Sequence, residues 1–526
     1  MGTNSKDHSK DHSKDQSKEL KGFWGHSTNC IMIWILCILV LFIGLWSVSA
    51  TLPRLTCDNY FMFFKSEEFL KNGFFHEDHL SMHSGLHCVF TQWLFAVPLT
   101  LFKHAFGLRY LHIIGIVLLF LASLSTILSN HLIGKDSKLG WIFIFLSFSY
   151  MCMFTGKIRP FYISAFLMTM TYLVLEKYVK DNDWKMLAVL PFISIIFINI
   201  HNTLYFGMYL PYACFIGEWI LGKILTKIQS LSTRFAPWIR HADFNIKPVL
   251  LSIPACLLTS LINPYGLEYV LYFIPSMQAV KPLIATEIGE MQSMFSPQYT
   301  QALILIAGYL ILEIILILKH AKKMPMRHLF CFFGYLFMFL RYERNAILFL
   351  TCGQVAMFYI TSQYCFSEKL EKESKKMISG ILVAILAVAI YGGITMDAGS
   401  KKDDIMHIYP NIDKIVEKDD SKGKTIFTSH QYAGSYAAYN GLKPYIDACA
   451  ETYGIAVNKK ADIASEFVNM SLKNKIKKYE FDYVVVSISR DAAAPEFKWY
   501  KVVDVNFVKT SDGHEWRNLT YEKQTD

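Results

Sequence analysis

Four short polar interruptions in otherwise apolar sequence carry side chains able to do chemistry: Lys157-Ile158-Arg159-Pro160, Asn199-Ile200-His201-Asn202, Asn263-Pro264-Tyr265-Gly266 and Arg341-Tyr342-Glu343-Arg344-Asn345. A fifth group stands between 51 and 87, where Asp58 follows a long apolar run and precedes Glu67, Glu68, Asp78 and the histidines His76, His79, His83 and His87. Polar groups at the depth of a bilayer are costly and mark a water-filled cavity or a functional site. An arginine there grips an anion through two nitrogens, and a carboxylate takes or gives a proton. The four histidines repeat at roughly helical spacing, which would suit a metal, but Ser84 and Gly85 interrupt any helix and favour a solvated loop. No metal is therefore expected.

Each candidate has a structural alternative. Asp58 reads equally as the cap of an amphipathic helix beginning at Asn59. Arg159 and Lys157 could extend to lipid headgroups. His201, between apolar runs, is either a packed core residue or a donor to a bound anion. Glu287, Glu290 and Gln292 lie in a loop from 264 to 298 that Pro275, Pro282 and Pro297 divide, so Glu290 either positions an acceptor or a metal or sits in a plain connection. Tyr60, Phe61, Trp93 and Tyr162 are as ordinary in an interfacial aromatic belt as against a ligand.

The elements that must hold these groups are apolar helices. Of 526 residues, 53% are hydrophobic and only 18% charged, more apolar surface than a water-soluble chain can cover. Twelve apolar segments can be counted: 31 to 50, 88 to 106, 110 to 129, 139 to 155, 160 to 176, 186 to 200, 203 to 221, 248 to 263, 300 to 318, 328 to 340, 346 to 361 and 378 to 395. Several are shorter than the ~20 residues needed to cross a bilayer as a helix, which predicts about 11 spans and a partial one. The net charge of +9 lies in Lys/Arg blocks between apolar runs, which speaks for membrane orientation and against nucleic acid.

Four such blocks mark the inner face: the N-terminus, Lys223 to Arg240, Lys319 to Arg327 and Lys369 to Lys376. Seven segments separate the first two, so one does not cross. If that one lies between 88 and 155, all five polar groups face outward. Residues 1–29 carry a charged tetrapeptide repeat and read as a disordered cytoplasmic tail, and 30–396 as the transmembrane domain with outer loop 51–87. Residues 397–526 read as an extracytoplasmic α/β domain, with strands near 424–429, 445–448, 483–489 and 499–508 and an amphipathic helix over 462–478. The eleven cysteines lack any C-x-x-C; Cys57, Cys88 and Cys449 fall on the outer face, with pairing unreadable.

Taken in order, Asp58-Asn59-Tyr60, Asp78-His79, Gln92-Trp93, Arg159-Pro160, Asn199-x-His201, Asn263-Pro264-Tyr265-Gly266, Arg344-Asn345, Gly434-Ser435-Tyr436, Ile446-Asp447 and Glu451-x-Tyr453 resemble a bacterial branch of the GT-C superfamily of polytopic membrane glycosyltransferases, over roughly 30 to 520. The resemblance implies a GT-C-like helical bundle with a C-terminal soluble α/β domain. It implies an inverting sugar transfer from a polyprenyl-phosphate donor to an envelope glycan, lipid or protein acceptor on the outer face of the cell membrane, among membrane lipids as partners. Asp58 would then be the catalytic base and Arg159, His201, Arg341 and Arg344 would bind the donor phosphate, with Lys157 a further cation. Asp78, His83 and Glu290 would position the acceptor or the loop. Asn59 and Met62 stand where the superfamily often has a second polar or acidic residue, which favours a metal-free reaction. The competing readings are a transporter or flippase of a lipid-linked substrate, and a non-catalytic envelope protein; no RP, NxH or NPYG motif repeats between halves, as paired transporter repeats would require.

Overall fold

A computed structural model describes residues 55 to 524 apart from 84, 138, 155–156, 229–230, 232, 285–287, 365–407, 460–461 and 510–514. The expected tail, the segments 31–50 and 378–395, Glu287 and the Lys369 block lie outside the described residues.

The chain is mostly helical, with a β-sheet domain at its C-terminal end. Helix α1 spans Cys57–Asn72 and α2 Trp93–Phe106; α3 is Leu111–Leu132, α4 Gly140–Phe154, α5 Phe161–Asp181, α6 Val189–Ile200, α7 Tyr209–Lys227, α8 Ala236–His241 and α9 Lys247–Thr259. Three short helices, α10 (Leu267–Leu271), α11 (Phe273–Ala279) and α12 (Lys281–Ile284), break up the proline-divided loop before α13 (Thr300–His320) and α14 (Met326–Arg341). The apolar segment 346–361 is interrupted: α15 (Ala346–Thr351) and α16 (Val355–Thr361) are separated by a 3-10 turn at Cys352–Gln354.

Two of the described helices, Ile113–Leu132 and Pro297–His320, are long and apolar enough to cross a membrane; Trp93–Phe106, Gly140–Cys152, Trp184–Ile200 and Lys247–Thr259 are apolar but shorter. The outward-facing side chains on α9 and α13 include Leu251, Leu258, Ile304, Ile311, Ile315 and Leu318, a surface suited to lipid rather than water. The helical region is membrane-associated on these grounds.

In the C-terminal domain, α17 (Tyr409–Val416), α18 (Gln431–Tyr439), α19 (Ile463–Asn469) and α20 (Leu472–Tyr479) accompany a five-stranded sheet of order β2-β1-β3-β5-β4. The strands are β1 Thr425–Thr428, β2 Lys443–Pro444, β3 Tyr483–Ser489, β4 Tyr500–Lys509 and β5 Glu515–Lys523. β1 pairs in parallel with β2 and β3, whereas β5 runs antiparallel to both β3 and β4. Two expectations need correction. The helix over 462–478 is two helices, because Ser471 leaves the helical path and accepts from the Asn474 amide to start α20. The expected strand at 445–448 is confined to Lys443–Pro444; beyond it the Asp447 carboxylate turns the backbone by accepting from the Cys449 amide.

The sheet domain packs directly on α1. Tyr60 lies against Tyr409, Tyr436 and Tyr439 at ring separations of 5.8, 5.0 and 5.4 Å, and Tyr409 stacks flat on Tyr436 at 3.9 Å. Within the domain, Gly434 lets α18 lie close against the chain after β2, where a Cβ would collide with the Ile446 carbonyl oxygen.

Candidate functional site

The first turn of α1 is where the site is assembled. Thr56 occupies the N-cap, and the Asn59 side chain reaches back to accept from its amide at 2.8 Å. Asp58 is therefore not the cap. It lies inside the first turn, where the helix dipole favours an anion. Asn59 also donates through Nδ2 to the Ile158 carbonyl at 2.8 Å, fastening the Lys157–Pro160 break beside that turn.

This places Arg159 Nη2 2.7 Å from Asp58 Oδ2. Arg159 Nη1 meets both oxygens of Glu290 at 2.5 Å, and Lys157 Nζ lies 3.1 Å from Glu290 Oε2. The Glu290 loop is held in turn by the end of α14: Ser293 Oγ and the Met294 amide donate to the Leu340 carbonyl at 2.9 and 3.1 Å, and the Glu343 amide donates to the Gln292 carbonyl at 3.1 Å. That link delivers the 3-10 turn Glu343–Asn345 to the same place. Arg344 lies 4.6 Å over the Phe161 ring, and among the described residues it forms no ion pair.

The charges are mutually dependent. Burial alone would strip the Arg159 charge, but Asp58 and Glu290 outweigh it and hold the guanidinium protonated. Burial would likewise raise the Glu290 carboxyl, yet Arg159, Lys157 and Arg344 keep it well below its usual range. Arg344 is lowered by burial and by Arg159, with Glu290 compensating in part. Glu343 behaves oppositely: burial, then the nearby Glu290 charge, push it up to about 7. Asp58 and Lys157 keep 27% and 44% of their side chains exposed, so the cluster opens on their side.

The remaining expected residues are placed as follows. His201 is buried behind Phe161, with Nδ1 2.8 Å from Ser164 Oγ and its ring 4.7 Å from the Phe161 ring; it supports the wall of the site rather than its lining. Arg341 is exposed and lies over the Tyr342 ring at 4.9 Å, so the break presents Arg344 and not Arg341 to the carboxylates. His83 joins the outer loop to the C-terminal domain, and Asp78 braces that loop from within. Asp78 Oδ2 accepts from the Ser81 amide at 3.2 Å, and His83 Nε2 is 2.9 Å from the Tyr445 carbonyl.

The Asn199 and Asn263 breaks are connectors. Asn199 accepts from Trp93 Nε1 at 2.9 Å and donates to the Ile262 carbonyl at 2.9 Å, while Asn263 donates to the Ser260 carbonyl at 2.8 Å within its own turn. The four histidines do not form a helical face. Glu77 and His87 pair as a β-bridge, which turns His76 and His87 towards Glu268 at 3.6 and 2.7 Å. Among the described residues no group of three His, Cys, Asp or Glu side chains is arranged to hold a metal ion.

Two partners were not singled out from sequence. Glu343 stood in a break noted for its arginines, and only its burial beside Glu290 marks it as a group titrating near neutrality. Phe161, the platform for Arg344, looked like any apolar residue after Arg159-Pro160.

No protein-family model matches this chain, and no curated protein matches it. Among solved structures the chain is similar to the archaeal oligosaccharyltransferase AglB from Archaeoglobus fulgidus in complex with an inhibitory peptide and a dolichol-phosphate, at 12% identity and a TM-score of 0.49, covering 86% of this chain and 69% of that one. It is also similar to ArnT from Cupriavidus metallidurans in the apo state, at 14% identity and a TM-score of 0.44, covering 94% of this chain and 98% of that one.

Proposed function

We propose that this chain is an integral membrane glycosyltransferase that moves a sugar from a polyprenyl-phosphate donor to an acceptor hydroxyl outside the cytoplasm, with inversion. One observation carries the reading: a partly exposed carboxylate, Asp58, is fixed by an arginine 2.7 Å away, beside two further cations, Arg344 and Lys157. A transfer from a phosphate needs both kinds of group. The base takes the acceptor proton, and the cations stabilise charge as the sugar–phosphate bond breaks.

The roles divide by what each group already touches. Both terminal nitrogens of Arg159 are engaged by Asp58 and Glu290, so Arg159 acts as a positioning residue that aims the two carboxylates. The donor phosphate falls to Arg344, with the half-exposed Lys157 beside it. Asp58 takes the proton on the open side, and Glu343 is a second carboxyl able to exchange one near neutrality. The Lys/Arg loops support an outward placement of this face and of the C-terminal domain, residues 397–526.

The test is sugar transfer, or complementation of a deletion strain, by Asp58→Asn and Asp58→Ala at wild-type expression. Loss of function in both, with folded protein retained, supports the reading; full function in Asp58→Asn removes the base.

A further inference from the structure

The outer loop and the C-terminal domain meet at a second polar cluster that the proposed reaction does not use. Lys65, in the middle of α1 and only 1% exposed, places Nζ 2.7 Å from Cys88 Sγ and 2.9 Å from Cys449 Sγ. Cys88 belongs to the segment leading into α2, and Cys449 to the C-terminal domain. Both thiols are buried, and Thr452 Oγ1 touches both, at 3.1 Å from Cys449 Sγ and 3.8 Å from Cys88 Sγ. Two sulfurs from two domains therefore share one ammonium and one hydroxyl.

A lysine so deeply buried is costly unless anions surround it. Those acting on Lys65 are the two cysteines and the carboxylates Asp78 and Asp447, and they hold its ammonium charged against the effect of burial. The same contacts separate the two thiols. The bond with Cys449 and the charge of Lys65 lower Cys88, against burial, whereas the bond with Cys88, burial and the Glu451 charge raise Cys449. A more acidic thiol beside a less acidic one is the pairing that favours thiol–disulfide exchange. Elsewhere, Cys331 and Cys352 also approach, at 3.9 Å between sulfurs, but they lie inside the helical region.

We propose that Cys88 and Cys449 are a redox pair that closes to a disulfide between the outer loop and the C-terminal domain, with Lys65 holding Cys88 ready to react. The oxidant is a disulfide such as oxidised glutathione. The Cys88 thiolate attacks one of its sulfurs and expels a thiolate, which takes the proton of Cys449. The Cys449 sulfur then attacks Cys88 and expels the second thiolate. Two protein sulfurs lose two electrons in all, and the oxidant disulfide is reduced to one thiol and one thiolate, the latter taking its proton from water. In the cell the bond fixes the sheet domain over α1, provided this face lies in an oxidising compartment, as the outward placement above requires. The chemistry itself is testable apart from that placement and from sugar transfer.

The experiment uses the full chain purified in detergent and incubated with oxidised glutathione. The protein is then unfolded, alkylated with N-ethylmaleimide and digested without reductant for mass spectrometry. The expected product is a Cys88–Cys449 linked peptide pair released by dithiothreitol, with Cys152, Cys214 and Cys256 alkylated. Lys65→Met should slow linkage about tenfold at pH 7, as expected when a thiol returns towards its ordinary range. Should that variant fail to fold, the wild-type rate against pH gives the same answer: a Cys88 made more acidic by Lys65 gains less between pH 7 and 8 than the about tenfold expected of an ordinary thiol. Two results overturn the proposal: complete alkylation of both cysteines after oxidation, or a cross-link that resists dithiothreitol and contains Lys65, which would be a nitrogen–oxygen–sulfur bridge.

Discussion

Two ion clusters stand at opposite ends of the same helices, and they differ in how completely their charges are matched. At the start of α14, Arg327 joins three helices. Its Nε and Nη2 meet Glu176 of α5 at 2.5 and 2.7 Å, and its Nη1 meets Glu218 of α7 at 2.5 Å. Its side chain is 6% exposed and that of Glu218 not at all, and every partner sits on a regular helix. The cluster around Asp58, roughly 22 Å away along α5 at 1.5 Å per residue, is built from a helix start and three breaks. There Arg344 has no ion pair among the described residues, and Lys157 and Asp58 remain partly open. The closed cluster locks helices together; the open one leaves cations and a carboxylate for a ligand.

That contrast predicts opposite failures. Asp58→Asn should lower transfer by about 10²- to 10⁴-fold, the usual contribution of a positioned base, while leaving thermal unfolding nearly unchanged. Arg327→Met should do the reverse, removing about 3 to 5 kcal/mol of stability by leaving Glu176 and Glu218 buried without a partner, with activity per folded molecule kept. Denaturation of both variants in the same detergent measures the difference. If Arg327→Met lost activity but not stability, the division into a closed and an open cluster would fail.

A smaller effect is expected at Arg344. Arg344→Lys replaces a two-pronged donor by a point charge and should weaken donor binding by about 10- to 100-fold, the range for one charged hydrogen bond. Arg341→Lys, at an exposed side chain lying over the half-buried Tyr342 ring, should change little. Binding isotherms with a polyprenyl phosphate compare the two, and equal losses would return Arg341 to the site.

The smallest expected effect is a pH dependence. Glu343 rises from an ordinary 4.5 to about 7 in the folded chain, so between those values the folded state holds a proton that the unfolded state has released. Its contribution is fully present below about pH 4.5 and is lost as pH rises towards 7. Glu343→Gln should flatten that part of the stability profile, read as the unfolding midpoint against pH; an unchanged slope would show that another group titrates there.

Much of the site was legible because charges in apolar sequence are rare and each has to be accounted for. Asp58, Lys157, Arg159 and Arg344 stood out on that ground alone. What the sequence could not show was which way each break turns: two residues separate Arg341 from Arg344, and only the end of α14 at Arg341 followed by the 3-10 turn decides that the second faces the carboxylates. The partnership of Glu290 with Arg159 joins residues far apart in the chain, so no local pattern announces it. In the fold, the helices followed their apolar runs, but β5 was missed because Arg517 and Lys523 share the face of Leu519 and Tyr521, which leaves too short an apolar alternation to mark a strand. Ser471, which ends one helix and starts the next, looks in sequence like any polar residue on an amphipathic face.

Docking of a lipid phosphate in the open cluster is the step on which transfer depends, and its most direct test is titration of the full-length protein in lipid nanodiscs with a polyprenyl phosphate carrying no sugar. Wild type and Asp58→Asn should both bind it, since the base is needed for transfer and not for holding the phosphate, whereas Arg344→Gln should bind at least ~10-fold more weakly. Wild-type protein that fails to bind the lipid phosphate, or an Arg344→Gln variant that binds it as well as wild type, would contradict the account.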